Sequence, residues 1–231
     1  MKKFLSHLGC FLFALGILLV NQSVKAGLND PPENAPDGRP YKVVIIGDSG
    51  VGKTAIVNRI LNNEFAEDLS STIGANFSSI SYTFPNKVQI RLDFWDTAGQ
   101  ERFSTKITPG YLRGSAVVVI VCSSEDENSQ QNVSERWARM VKDTIALPPG
   151  NIIVVLNKVD LIEDTNRFQN NISIPDGVTH IIKTSSKTGE NIDILTQTIA
   201  NIAFYDFPNY LKNSNKLIHI QPHNPPKKSC C

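Results

Sequence analysis

The chain has 231 residues, 41% of them hydrophobic, enough for one sizeable core and too little for two once the ends are set aside. A formal net charge of +1 gives no electrostatic reason to expect nucleic acid as a partner. The cysteines at positions 10, 122, 230 and 231 have neither the pattern of a disulfide framework nor metal-ligand spacing, so the domain reads as built for a reducing compartment.

At the N-terminus, Lys2 and Lys3 precede an uncharged stretch over 4–24 with an apolar heart at 8–20, and Val24-Lys25-Ala26 carries small residues at the spacing of a signal-peptidase site. Residues 1–26 therefore have the layout of a secretory signal peptide. A permanent membrane anchor is the second reading, ranked lower because the apolar core is short for a span. A downstream start is the third and weakest, since Met140, the only other methionine, falls inside the domain. Residues 27–40 hold Pro31, Pro32, Pro36 and Pro40 among Asn, Asp, Glu and Gly; they bury too little apolar surface to offset their ordering entropy and read as a flexible linker.

The organising stretch comes next. Gly47-Asp48-Ser49-Gly50-Val51-Gly52-Lys53-Thr54 fits the pattern G-x-x-x-x-G-K-[ST]. The apolar run Val43-Val44-Ile45-Ile46 before it reads as a buried strand, and 55–61 after it as a helix. Strand, glycine loop and helix make a phosphate cradle: the glycines let backbone N–H groups approach the anion, and the positive end of the helix faces it. Lys53 is expected to reach the β- and γ-phosphates and the Thr54 hydroxyl to ligate Mg²⁺.

Further along, 76–84 and 88–95 are strand-like runs joined by Pro85-Asn86-Lys87, a joint short enough to imply an antiparallel hairpin. Runs 116–122 and 152–156 are β-branched and apolar throughout, as strands covered on both faces are, and 126–146 lies between them as a helical connection, which makes them parallel. A last strand at 178–183 and a last helix at 191–204, with Ile192, Leu195, Ile199 and Ile202 at helical spacing, complete an α/β, doubly wound sheet of six strands, mostly parallel with one antiparallel edge strand. Ligands of such sheets sit at the carboxyl ends of the strands.

The loops at those ends carry a matching set. Asp96-Thr97-Ala98-Gly99-Gln100-Glu101 follows one strand and places Asp96 where a carboxylate can hold Mg²⁺ through water opposite Thr54. Asn157-Lys158-Val159-Asp160 follows another; the Asp160 carboxylate can accept from the N1–H and exocyclic amine of guanine, which adenine does not offer in that geometry. Each short motif is weak alone, and their order behind a phosphate loop gives them force.

With these motifs in place, residues 41 to about 204 resemble a Ras-superfamily small GTPase, most like the Rab family. The phosphate loop, Thr72, 96–100, 157–160 and Ser185-Ser186-Lys187 match the superfamily's nucleotide motifs in order, and 73–77, 95–103 and 111–115 resemble Rab-marking segments. The resemblance implies a P-loop GTPase domain over 41–205 that binds GTP or GDP with Mg²⁺. Nucleotide contacts are then expected from Ser49, Gly50, Val51, Gly52, Lys53, Thr54 and Ala55 around the phosphates. Thr72 would join Thr54 and Asp96 in the metal shell, the Gly99 N–H would touch the γ-phosphate, and Gln100 would orient the attacking water, with Lys53 and Thr72 completing the catalytic set. Phe65 and the Lys158 stem would enclose the base; Asn157, Asp160, Ser185, Ser186 and Lys187 would form its loop, with the Ser186 N–H on O6. Ile73, Phe77, Trp95 and Tyr111 would meet effectors.

Some positions depart from the Rab pattern: Ala75 and Asn76 stand for Val and Asp, Leu112 for a second tyrosine, Ser123 for an aspartate and Ser186 for an alanine. The first four bear on partner choice more than on chemistry, and Ser186 is expected to be harmless because its contact is made through backbone. The sequence shows no arginine finger in cis, so intrinsic hydrolysis is expected to be slow, on the order of 10⁻⁴ to 10⁻² s⁻¹, with an activating protein, an exchange factor and effectors as partners. Residues 206–231, rich in Pro and Asn, are expected to be a disordered tail in which Cys230 and Cys231 match paired prenylation sites; unmodified thiols are the alternative. The sequence leaves open a lipid-anchored switch on the cytosolic face of endomembranes, an exported protein acting in another cell, and a slow-turnover GTP-dependent scaffold.

Overall fold

A computed structural model of the chain describes residues 40–67, 72–98, 110–162 and 174–206. The chain divides between Ala35 and Pro36, and every described residue belongs to the second unit. The segment 1–39, the tail 207–231 and the expected sites Gly99, Gln100, Cys230 and Cys231 lie outside the described residues.

In chain order the elements are β1 (Tyr41–Gly47), α1 (Lys53–Asn62), β2 (Ala75–Thr83), β3 (Gln89–Thr97) and β4 (Val117–Ser123), followed by a helical stretch and β5 (Ile152–Asn157), β6 (His180–Lys183) and a last helix. The strands form one six-stranded sheet in the order β2-β3-β1-β4-β5-β6. Only the β2–β3 pair is antiparallel, with Phe77 opposite Trp95; all other pairs are parallel. This is the expected doubly wound sheet with its antiparallel edge strand.

The reason lies in the strand composition. Along β1 and β4 alternate residues belong to opposite cores: Val43, Ile45, Val117, Val119 and Val121 to one, Val44, Ile46, Val118 and Ile120 to the other. All nine are at most 1% exposed, so helices must cover both faces. The first core is completed by Ile56 and Val57 of α1 and by Leu195 and Ile199 of the last helix, the second by Val133, Trp137 and Val141.

The connection between β4 and β5 is helical without a break, as expected, and comprises α2 (Glu127–Asn132), a π-helical segment (Val133–Ala138) and α3 (Arg139–Thr144). Asp126 caps its start, accepting from the Asn128 and Ser129 N–H groups. Wider turns in the middle of a helix shift the side chains that follow, and here Arg136 and Trp137 join Asn132, which precedes the segment, on the Asp48 carboxylate. The last helix, α4 (Ile192–Asn201), likewise runs on into a π-helical turn over Ile202–Asp206, which seats Phe204 against Phe84 with ring centroids 5.2 Å apart.

Candidate functional site

The carboxyl ends of β1, β3 and β5 open onto one cavity of about 420 Å³. Ser49, Gly50, Gly52, Lys53, Thr54 and Ala55 line one end, Lys158, Asp160, Ser186 and Lys187 the other, with Phe65 and Thr72 at the rim. Residues 47–54 leave β1 and enter α1, whose N-cap is Gly52 with no side-chain cap and no acidic residue in the first turn. The first N–H groups of α1 are thus left for an anion to satisfy. Gly52 has φ +95°, and a Cβ there would fall 2.3 Å from Asn157 Nδ2, so this approach of loop to side chain demands glycine.

Lys53 is 6% exposed and donates from Nζ to the Gly47 and Asp48 carbonyls at 2.9 and 2.7 Å. Burial lowers its pKa to about 8, against the opposing pull of the Asp96 and Asp48 charges. An anion in the cavity would add to the counter-charge that Asp96 and Asp48 provide and would favour the ammonium further.

The Thr54 hydroxyl donates to Asp96 Oδ2 at 2.7 Å and lies 2.8 Å from Thr72 Oγ1. With its one proton on the carboxylate, Thr54 must accept from Thr72. Asp96 is 2% exposed and its Oδ1 has no hydrogen-bond partner among the described residues. Burial raises the Asp96 pKa, opposed by the Thr54 hydrogen bond and the Lys53 charge. Three hard oxygen donors, one of them an orphaned carboxylate oxygen, form a set that fits Mg²⁺. Among the described residues no group of three or more His, Cys, Asp or Glu side chains is placed to hold a metal ion.

At the base end, Asn157 is fully buried and ties two loops together. Its Nδ2 donates to the Val51 carbonyl at 3.0 Å, and its Oδ1 accepts from the Ser186 N–H at 3.1 Å and the Thr184 hydroxyl at 3.2 Å. The Ser186 amide, expected on the base oxygen, is thus already engaged. Asp160 stands exposed at the cavity, one oxygen accepting from Ser185 Oγ at 2.5 Å, which leaves the other free to face a base edge. Lys158 reaches its place through a left-handed backbone, φ 64°. Val51, Asn157 and Ser185 lie behind the cavity wall rather than on it, and Asp96 lies behind Thr54.

Sequence reasoning overlooked Ala66, Glu67, Thr97 and Leu161, which also line the cavity. It also overlooked the Asp48 carboxylate, which receives Asn132 Nδ2 at 2.8 Å, Trp137 Nε1 at 3.0 Å and the Arg136 guanidinium at 3.5 Å. Outside the cavity, Ile73 is 86% and Phe77 52% exposed. Phe77, Trp95 and Tyr111 form a chain of rings with centroid separations of 5.4 and 5.7 Å, and Lys42 Nζ sits 4.7 Å above the Trp95 ring. Trp95 and Tyr111 are half-buried against the second core, so the aromatic patch is rooted in the fold at one end and free at the other.

Residues 42–160 match the family described as Ras of Complex, Roc, domain of DAPkinase. The chain is similar to Ras-related protein Rab-11B of Dictyostelium discoideum, 34% identical over 181 residues that cover 78% of this chain and 79% of that one. It is similar to GTP-binding protein ypt1 of Schizosaccharomyces pombe, 34% identical over 66% of this chain and 74% of that one. Ras-related protein rab-11.1 of Caenorhabditis elegans is 33% identical over 83% of this chain and 94% of its own.

Proposed function

The chain belongs to the Ras superfamily of small GTPases and is most like its Rab family, and from that premise we propose that it is a GTPase switch of vesicle trafficking that exchanges GDP for GTP and hydrolyses GTP slowly. The observation that carries this reading is the two-ended cavity: an uncapped helix N-terminus, Lys53 and the Thr54–Thr72–Asp96 oxygens at one end, Asp160 and the 185–187 loop at the other.

Thr54, Thr72 and Asp96 would hold Mg²⁺, which when bound neutralises charge on the β- and γ-phosphate oxygens. Lys53 would leave the Gly47 and Asp48 carbonyls for those phosphates, and the first N–H groups of α1 would point at them. Phe65 and the Lys158 stem would shield the base from water. Gln100 would orient water for in-line attack and Gly99 would sense the γ-phosphate, roles that rest on the sequence motif alone. Ordering of the loops around Thr72 and Gln100 by the γ-phosphate would present Ile73, Phe77, Trp95 and Tyr111 to effectors, and loss of the phosphate would release them.

Single-turnover hydrolysis of GTP by the purified chain is expected to be slow, on the order of 10⁻⁴ to 10⁻² s⁻¹, and slower still in Gln100→Leu. Unchanged turnover in the variant would remove Gln100 from the mechanism.

Attachment to endomembranes would come from lipid on Cys230 and Cys231, two chains giving lasting anchorage where one does not. Among the described residues no helix is long and apolar enough to cross a membrane. The signal-like layout of residues 1–26 favours a second reading, export to a site of action in another cell. The masses of both termini from native cells separate the two: lipid on both cysteines with residues 1–26 retained supports the anchored switch, and a new N-terminus at Gly27 with free thiols supports export.

A further inference from the structure

Arg59 lies on α1, outside the cavity, yet its guanidinium reaches the loop that closes the base end. Nε donates to the Ser186 carbonyl at 2.8 Å and Nη2 to the Lys187 carbonyl at 2.6 Å, while Nη1 donates to the Asn63 carbonyl at the end of its own helix, 2.7 Å away. A planar fork that grips two successive carbonyls restrains a peptide unit in orientation as well as position, which a single hydrogen bond does not.

That restraint has a consequence for the opposite face of the loop. Among the described residues no peptide bond is cis, and in a planar trans peptide the C=O and N–H point in opposite directions. Holding the Ser186 carbonyl towards Arg59 therefore directs the N–H of the same peptide unit, that of Lys187, away from Arg59. The Lys187 N–H makes no hydrogen bond among the described residues, and Lys187 lines the cavity. The neighbouring donor, the Ser186 N–H, is taken by Asn157 Oδ1 at 3.1 Å. The loop thus offers one uncommitted backbone donor, and Arg59 sets its direction.

We propose that Arg59 is a positioning residue for base recognition: by gripping the Ser186 and Lys187 carbonyls it fixes the Lys187 N–H as the donor that meets the 6-keto oxygen of a purine. The inference rests on the guanine-nucleotide reading of the cavity. It also gives α1 two tasks, since the helix that begins with Lys53 and Thr54 at the phosphate end governs the base end through Arg59 six residues after Lys53.

Three diphosphates test it on the full chain: GDP; inosine diphosphate, which keeps the 6-oxygen and N1–H and lacks the 2-amine; and 2-aminopurine riboside diphosphate, which keeps the amine and lacks the 6-oxygen and the N1 proton. For the last, the change in its ratio on mutation, and not the ratio itself, reports the 6-oxygen contact. In Arg59→Ala the preference for GDP over the 2-aminopurine nucleotide should fall about five- to tenfold, the worth of one hydrogen bond, while the preference over inosine diphosphate, set by Asp160, stays within about twofold. Arg59→Lys keeps the charge but not the fork and should show a smaller fall in the same ratio; it carries the test if the alanine variant does not fold. Equal weakening for all three nucleotides, or an unchanged 2-aminopurine ratio in whichever variant folds, would overturn the proposal by reducing Arg59 to a helix-end support. Wild-type protein that does not prefer GDP over either analogue would overturn the guanine reading itself, and the proposal with it.

Discussion

The indole of Trp137 donates from Nε1 to the Asp48 carboxylate at 3.0 Å, joining the π-helical segment to the phosphate loop across 89 positions of sequence. Trp137 is 1% exposed and the Asp48 side chain 13%, so the bond is largely shielded from water. Asn132 and Arg136 converge on the same carboxylate. The backbone of Asp48 also accepts from Lys53, so the residue is held at both its carboxylate and its carbonyl.

Replacing Trp137 with Phe keeps most of the apolar volume and removes the donor. Denaturant titration of the nucleotide-free protein should show a loss of about 1–3 kcal/mol, the range for an imperfectly satisfied buried polar partner together with a small packing defect. A change within about 0.5 kcal/mol would mean that Asn132 and Arg136 suffice to hold the loop.

Lys53 sets a pH dependence for the nucleotide-free protein. Its pKa is lowered from 10.5 to about 8, so between those values the unfolded chain binds more protons than the folded one. Stability should therefore rise with pH across that window, and the cost of burying the ammonium should be fully present below about 8. Lys53→Met should remove the slope and stabilise the empty protein at pH 7 by about 1–3 kcal/mol, while abolishing phosphate binding. Urea midpoints measured at pH 7, 8 and 9.5 read the slope directly, and identical slopes in the two proteins would contradict the assignment.

Gly52 and Gly150 separate geometry from composition. Gly52→Ala meets both a positive φ and Asn157 Nδ2 at 2.3 Å, and should cost at least about 2 kcal/mol and uncouple the phosphate loop from the 157–160 loop. Gly150 has open space around its Cβ position and no positive φ, so Gly150→Ala should stay within about 0.5 kcal/mol of wild type. Paired thermal melts of the two variants suffice, and equal losses would show that the close approach at Gly52 relaxes without cost.

The parts of the architecture that read clearly from the sequence are those encoded locally. β1, β4 and β5 are apolar at nearly every position because both faces are covered, and the phosphate loop announces itself through three glycines and Lys53 within eight residues. Asp160 could be singled out because its chemistry towards guanine follows from its motif. Other features depend on contacts that no short pattern encodes. Arg59 meets Ser186 from 127 positions away and reads locally as an ordinary helix residue. The helical character of the stretch holding Val133–Ala138 is legible in the sequence, but nothing in its local pattern marks the wider turns or the convergence of Asn132, Arg136 and Trp137 on Asp48. Engagement of the Ser186 amide by Asn157 is likewise tertiary, and it changes which amide is free to meet a base.

The most direct test of the guanine-nucleotide switch is competition at the cavity: fluorescent GDP bound to the purified chain in the presence of Mg²⁺, displaced in parallel by GDP and by ADP. A carboxylate at Asp160 left without a partner by adenine should make ADP weaker by roughly 10⁴-fold. Displacement by ADP at concentrations similar to those of GDP would contradict the account, because the cavity would then bind phosphates without reading the base.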